Sequence, residues 1–311
     1  TALLADHLAP RLIGRDPACI EAIWRDLLFT THATSVGAIT SLALAAIDIA
    51  LWDWRCKRDG QPLWRAAGGA KPRTPVYTTE GGWLHLATDA IVQDTVAAKE
   101  AGFQGAKIKV GLPRVADDVA RLRAVRAAVG DAFEIMLDAN QCFTLSEALR
   151  RAAAYAELGI AWFEEPLPAD DIAGHARLAA STPVPIAVGE SLYSPGQFAD
   201  YIAQGACSIV QVDVARIGGI TPWLKVAHMA ECHNLMVAPH FLMELHVSLT
   251  AASPAARWVE YIPQLDAVAH SRVLIAAGEA VAPDAPGLGI DWRWDEIERR
   301  TTGRHHLQDD A

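Results

Sequence analysis

From about residue 74 the apolar positions fall into short runs divided by longer amphipathic stretches. The runs are VYTTEGG, AKIKV, EIMLDAN, AWFEEP, PIAVGE, SIVQVD, MVAPH and WVEYI, each of strand length. Between them, residues 87–101, 115–129, 145–158, 195–204 and 221–233 carry apolar side chains at helical spacing, and the first and third stretches stop at Gly102 and Gly159. A strand followed by a return helix is what a parallel sheet requires, because its neighbours cannot be joined by a tight turn. Eight such units predict a closed (β/α)8 barrel. A doubly wound open sheet would place a glycine-rich phosphate loop after its first strand, and TTEGGWLH is not that pattern.

The ends of the chain follow other rules. Residues 1–72 read as helical. Asp16 is the expected N-cap of an amphipathic helix over Pro17–Leu28, and Ile39–Arg58 form a strongly apolar second helix. Gly68, Gly69, Pro72 and Pro75 then mark a boundary. Residues 266–311, with AVAPDAPGLGIDW, are rich in Pro and Gly and predict a tail that folds back over the helical region. His305 and His306 read as surface residues near a frayed end. The expected division is 1–72 as a helical capping region, 73–265 as the barrel and 266–311 as the returning segment. The chain opens at Thr1 within helix-like sequence, without Met and without a signal pattern, so the expectation is that its true start lies upstream.

Composition narrows the function classes. Of 311 residues 51% are hydrophobic, ample for a large core, and the net charge of −10 offers no basic stripe for nucleic acid. No apolar run reaches the roughly 18 residues of a membrane span. The longest, SLALAAIDIALWDW, contains Asp48 and Asp53 and reads as a buried helix. Five widely spaced cysteines, Cys19, Cys56, Cys142, Cys207 and Cys232, predict reduced thiols and a cytoplasmic location. Cys142, two residues past Asn140, reads as a small loop residue.

Seven residues carry the chemistry: Lys109, Asp138, Glu164, Glu190, Asp213, His240 and Glu260, spaced 20 to 29 residues apart. Each is expected at the C-terminal end of a barrel strand, where the ends converge on one mouth. Asp138, Glu164 and Glu190 end three consecutive strands, and three converging carboxylates repel unless a cation intervenes. All-oxygen ligation predicts Mg²⁺. Lys107 and Lys109 share one side of their strand, and mutual repulsion is expected to lower the pKa of one toward that of a base. Asp213 and His240 end neighbouring strands, an arrangement that fixes an imidazole tautomer, across the mouth from Lys109. Glu260, among Trp258, Val259, Tyr261 and Ile262, is expected to stay protonated and donate a hydrogen bond to developing oxyanion charge. Asn140, His85 and His246 are candidate partners for substrate hydroxyl groups. Together these groups would polarise a carboxylate with Mg²⁺ and Lys107, then remove the proton on the adjacent carbon.

On these residues the chain resembles the mandelate racemase subgroup of the enolase superfamily. The K-x-K pair (Lys107, Lys109), LDAN (Asp138, Asn140), EEP (Glu164), GES (Glu190), QVDVARIGG (Asp213), APHF (His240) and Glu260 carry the resemblance, which covers nearly the whole chain. It implies Lys109 and His240 as the acid/base pair, Asp213 bound to His240, Mg²⁺ on the three acids and Glu260 as electrophilic partner; a Lys or His base with Mg²⁺ is the known arrangement of that superfamily. TTEGGWLH, DIAGHARLAA and APHFLMELHVSLTAASP resemble acid-sugar dehydratases of the talarate/galactarate type, while APDAPGLGIDW resembles mandelate racemase. The leading expectation is therefore a Mg²⁺-dependent dehydratase giving a 2-keto-3-deoxy acid, in a homo-oligomer. The alternative is a racemase or epimerase of a 2-hydroxy acid, with Phe241, Leu242 and Met243 as an apolar pocket. A barrel that only binds a ligand would show a broken constellation, and none of the seven residues is broken. In that family the capping domain opens with strands and mobile loops, and the expectation is that Thr1 falls after them, inside the capping helices.

Overall fold

The computed structural model describes residues 1–34 and 37–305; His306 lies outside them. Eight parallel strands form the centre: β1 (Arg73–Thr78), β2 (Gly105–Lys109), β3 (Glu134–Asp138), β4 (Ile160–Glu164), β5 (Ile186–Val188), β6 (Ile209–Val210), β7 (Met236–Val237) and β8 (Val259–Tyr261). Each pairs with the next in chain order from β1 to β7, and β1 also pairs in parallel with β8. A parallel bridge from Val237 to Ala256, just before β8, closes the ring. The (β/α)8 barrel is thus complete, as the alternation of runs predicts.

The strands alternate their side chains between two cores. Tyr77, Met136, Trp162, Ala187, Ile209 and Ala238 cluster on one face. Ile108, Ile135, Leu137, Phe163, Ile186 and Val188 belong to the larger cluster shared with the surrounding helices. Period-two alternation keeps the two sets apart. Burying a side chain of this size contributes about 1.5–3 kcal/mol.

Residues 1–72 are mainly helical where described. The long helices α1 (Ile20–Thr30) and α2 (Ala38–Arg58) precede a short α3 (Leu63–Ala66). Leu8, Ile23, Leu27, Leu44 and Ile47 form their own core. Asp16 is not the cap of α1: Cys19 holds that position, and Asp16 instead accepts the Ala18 N–H at 2.9 Å in the preceding turn. The barrel helices that follow are α4 (Thr88–Glu100), α5 (Val115–Val129), α6 (Leu145–Tyr155), α7 (Ile172–Ala179), α8 (Pro195–Ala203), α9 (Ile220–Cys232) and α10 (Met243–Ala252). α2 docks on the start of α9, where Asp48 accepts the Thr221 N–H and Trp52 donates to the Thr221 hydroxyl, both at 2.9 Å. Gly219 permits the approach: with φ at +119°, a Cβ there would lie 2.4 Å from the Asp48 carboxylate.

The tail holds more structure than its Pro and Gly content predicts. β9 (Leu274–Ala276) and β10 (Glu279–Val281) form an antiparallel hairpin that extends the outer half of β1, and α11 (Trp294–Arg300) follows. The tail does return to the helical region: Leu63 donates to the Gly287 carbonyl, and Leu288 donates to Asp53, each at 2.9 Å.

Candidate active site

Strand register brings the first members of the site together. Lys109 is paired with Asp138, and Asp138 with Glu164, at the C-terminal ends of β2, β3 and β4. Glu190, Asp213 and His240 lie two or three residues beyond β5, β6 and β7, on the loops rather than at the strand ends. Glu260 sits within β8, level with Tyr77 of β1. The ligand atoms of Asp138, Glu164 and Glu190 all lie within 4.8 Å of one another.

Lys107 sits beneath this triad. It is 2% exposed, 2.9 Å from Glu164, 2.7 Å from Glu260 and 3.7 Å from Asp138. Burial works against the ammonium, but Glu164 and Glu260 outweigh it and hold its pKa well above the ordinary lysine value. The expectation that the K-x-K pair lowers a lysine pKa therefore fails for Lys107, because carboxylates rather than the second ammonium are its nearest neighbours. It faces the acids, not the opening. Lys109 is higher and more open, bonded to Asp138 and, at 2.7 Å, to Asn140 Oδ1. Asn140 follows in a left-handed backbone (φ +42°) with its N–H on Asp138 at 2.8 Å, which leaves its amide nitrogen at the exposed mouth.

The acids respond differently to burial. It pushes Glu164 up to about 8 against the opposing pull of Lys107, while Trp162 Nε1 (3.3 Å) and Gln211 Nε2 (2.7 Å) donate to its second oxygen. Burial acts the same way on Glu190, but the His240 hydrogen bond prevails and brings it to about 2. Glu260 is not protonated, contrary to the reading of its apolar sequence neighbours. Burial raises its pKa, but Lys107 and His240 outweigh that and hold it well below the usual carboxylate range. Thr79 Oγ1 donates to it at 2.5 Å and the Phe241 N–H at 2.7 Å. The neighbours in space, not in sequence, decide its charge.

His240 bridges two acids, with Nδ1 2.9 Å from Asp213 Oδ2 and Nε2 3.1 Å from Glu190 Oε2. Burial alone would lower its pKa; the two hydrogen bonds raise it to about 10, so the ring is imidazolium here. Asp213 is fixed in turn by the N–H groups of Ala215 (2.8 Å) and Arg216 (3.1 Å) on its other oxygen. Lys109 and the Asp213–His240 pair thus bracket the triad, one at its Asp138 end and the other at its Glu190 end.

Two polar candidates are not hydrogen-bonded into the cluster among the described residues. His85 is exposed in the turn after β1 and makes no hydrogen bond with the cluster among the described residues. The Lys109 ammonium lies instead over the ring of Trp83, two residues before His85, 5.7 Å from its centre. His246 is fully buried in α10 and among the described residues bonds only backbone groups, so it does not meet substrate. Met243 packs with Val76, Val247, Val259 and Ala280 in an apolar cluster of its own. The site holds residues that sequence reasoning misses: Thr79, Trp162, Gln211 and Arg216, whose guanidinium donates to the Glu190 carbonyl at 2.8 Å. Thr79, Trp162 and Gln211 are legible only as the second residue before or after a position whose side chain faces the mouth.

Comparison with known proteins gives the family of the chain. Residues 90–296 match the enolase C-terminal domain-like family, and residues 1–68 match the mandelate racemase/muconate lactonizing enzyme N-terminal domain. The L-talarate/galactarate dehydratase of Salmonella typhimurium is 39% identical over 92% of this chain and 72% of its own length. The 3,6-anhydro-alpha-L-galactonate cycloisomerase of Streptomyces coelicolor is 34% identical over 94% of this chain and 81% of its own length. A crystal structure of L-talarate dehydratase from a Polaromonas species, complexed with Mg and L-glucarate, superposes with a TM-score of 0.90 at 40% identity, covering 95% of this chain and 82% of that one. The chain belongs to the enolase superfamily, in its mandelate racemase/muconate lactonizing enzyme group.

Proposed function

We propose that this chain is a Mg²⁺-dependent dehydratase of an acid sugar, acting by abstraction of the proton alpha to a carboxylate. The observation that carries it is the bracketing of one acidic triad by two candidate proton-transfer groups on opposite sides, Lys109 and the Asp213–His240 pair. The acid-sugar dehydratases among its relatives support the substrate class.

The residues fit a divalent cation. The five carboxyl groups Asp138, Glu164, Glu190, Asp213 and Glu260 outnumber the four cationic groups around them, Lys107, Lys109, His240 and Arg216. Asp138, Glu164 and Glu190 would hold the ion, and an all-oxygen set with open positions suits Mg²⁺. Bound there, Mg²⁺ supplies Lewis-acid polarisation of a substrate carboxylate oxygen. Lys107 and Glu260 set the charge beneath, and the Asn140 amide is free to orient a hydroxyl. One of Lys109 and His240 takes the α-proton. The other gives a proton to the departing β-hydroxyl, so the C–H pair becomes the new C=C bond as the C–O bond breaks and water leaves. Ketonisation then yields the 2-keto-3-deoxy acid. Asp213 keeps the His240 Nε2 pointed at the site.

The same reading divides the chain into a capping region to residue 72, the barrel to 265 and a returning segment. Exposed apolar side chains at Phe29 and Ile39 suit association with further copies, and the five free cysteines suit a cytoplasmic setting. Incubation with Mg²⁺ and a panel of acid sugars and aromatic 2-hydroxy acids tests the function. A 2-keto acid is expected from at least one sugar acid, abolished by EDTA and by Lys109→Ala. Racemisation of a 2-hydroxy acid with no keto acid from any sugar would replace dehydration by epimerisation.

A further inference from the structure

We propose that His246 is a positioning residue: its buried imidazole is a strut that locks the loop of Asp213 against the loop of His240. The ring sits in α10 and is fully buried. Its Nε2 lies 3.1 Å from the Val214 backbone nitrogen and its Nδ1 lies 2.6 Å from the Phe241 carbonyl oxygen. A backbone N–H only donates and a carbonyl only accepts. The ring therefore has one workable form, neutral, with the proton on Nδ1; protonation of Nε2 would set two N–H groups head to head. Burial pushes its pKa down, in keeping with that form.

Both bonds land one residue from a site group. Val214 follows Asp213, and on the other side of that aspartate the Val212 carbonyl is held by Trp223 Nε1 at 3.1 Å. Phe241 follows His240, stacks on it with ring centroids 5.4 Å apart, and donates its own N–H to Glu260. Phe241 and Leu242 have φ of +61° and +31°, which side-chain-bearing residues adopt only where surrounding contacts impose it. The Phe241 peptide is pinned at its N–H by Glu260 and at its C=O by His246. Without His246 the carbonyl loses its only side-chain donor among the described residues, and the turn is free to relax. That shift would move His240 away from Asp213 and the N–H away from Glu260. Lys109, on β2 across the triad, shares none of these contacts.

The proposal rests on His240 being an acid/base group, so its test has one arm independent of turnover. His246→Leu removes both bonds, whereas a glutamine amide can still accept from Val214 and donate to Phe241. In protein carrying ¹⁵N-labelled histidine, the downfield Nδ1–H resonance of His240 is assigned by its loss in Asp213→Asn. It is expected to shift or broaden in His246→Leu and to persist in His246→Gln, with His246 itself unprotonated at Nε2 from pH 6 to 9. In the second arm, α-proton exchange in heavy water is followed with a pair of C2-epimeric sugar acids. Exchange on the His240 face should fall about 100-fold in His246→Leu, the scale of a misplacement of about 1 Å, and recover in His246→Gln. Exchange on the Lys109 face should stay within about threefold. An unmoved His240 resonance in His246→Leu, equal loss on both faces, or a proton on Nε2 of His246 would overturn the strut. If His246→Leu does not fold, the wild-type tautomer and the glutamine variant decide. Absence of exchange in the wild type with every acid would refute the functional reading alone, since the resonance arm still tests the strut.

Discussion

Lys107 Nζ lies 2.7 Å from Glu260 Oε1, with both side chains 2% exposed. The pair sits at the floor of the mouth, and the same ammonium reaches Glu164 at 2.9 Å. Removing one member of a buried ion pair leaves an uncompensated charge, which costs about 3–5 kcal/mol. Lys107→Met is expected to lose stability on that scale in EDTA. Because a ligand that binds only the native state stabilises by mass action, saturating Mg²⁺ should restore part of the loss. Urea denaturation with and without Mg²⁺ checks both. An unchanged midpoint in EDTA would mean that the charge beneath the triad matters little to the fold.

His240 links stability to pH. In the cation-free protein its pKa stands at about 10, above the free imidazole value of about 6.5. Its contribution is therefore fully present below pH ~6.5 and lost as pH rises through about 10. Glu190 acts from the acid side: lowered from 4.5 to about 2, it contributes above pH 4.5 and loses this as pH falls through about 2. In EDTA, wild type should lose more stability than His240→Asn between pH 7 and 10. Parallel pH profiles for the two proteins would show that His240 is not protonated in the folded state.

Much of this site can be read along the chain, because a parallel barrel turns sequence order into spatial order. Each strand end meets the next, so a run such as EIMLD followed by IAWFE places Asp138 beside Glu164 without further information. The barrel helices obey local periodicity for the same reason. What stays hidden depends on contacts across the ring. Glu260 looks apolar in WVEYI, yet Lys107, distant in sequence, sets its charge. His246 looks like a mouth residue in PHFLMELH, but the left-handed turn at Phe241 and Leu242 carries it into the core. The hairpin of β9 and β10 escapes notice because its strands have three residues each and its apolar pattern is too short to show a period.

Asp48 carries a different pH signature at the junction between α2 and α9. Burial lifts its pKa from 3.8 to about 6, opposed by the hydrogen bonds from Thr221. The rise corresponds to about 3 kcal/mol against the ionised form. Its sign follows from the raised value: stability is full below pH ~3.8 and lost as pH climbs through about 6. An asparagine keeps an acceptor for the Thr221 N–H and carries no charge. Asp48→Asn should therefore gain about 1–3 kcal/mol over wild type at pH 8 and nothing at pH 4, read from thermal or urea melts. A loss at pH 8 would show that the first turn of α9 needs the anion, whose attraction to a helix N-terminus then exceeds the burial penalty.

Gln211 offers the last test, on the metal. Its Nε2 donates to Glu164 Oε2 at 2.7 Å, and Trp162 Nε1 shares that oxygen at 3.3 Å. Groups that orient a ligand carboxylate affect metal affinity by about 10–100-fold when removed, because the ligand must then be ordered on binding. Glu164 also has its pKa lifted to about 8 by burial, so losing a donor pushes it further toward the protonated form, which cannot ligate. Gln211→Leu should weaken Mg²⁺ binding by about 10–100-fold, most strongly below pH 8. Isothermal titration calorimetry with Mg²⁺ on both proteins measures the difference. Equal affinity in both proteins would mean that Lys107 alone orients Glu164, and the variant Trp162→Phe would then also bind Mg²⁺ as wild type does.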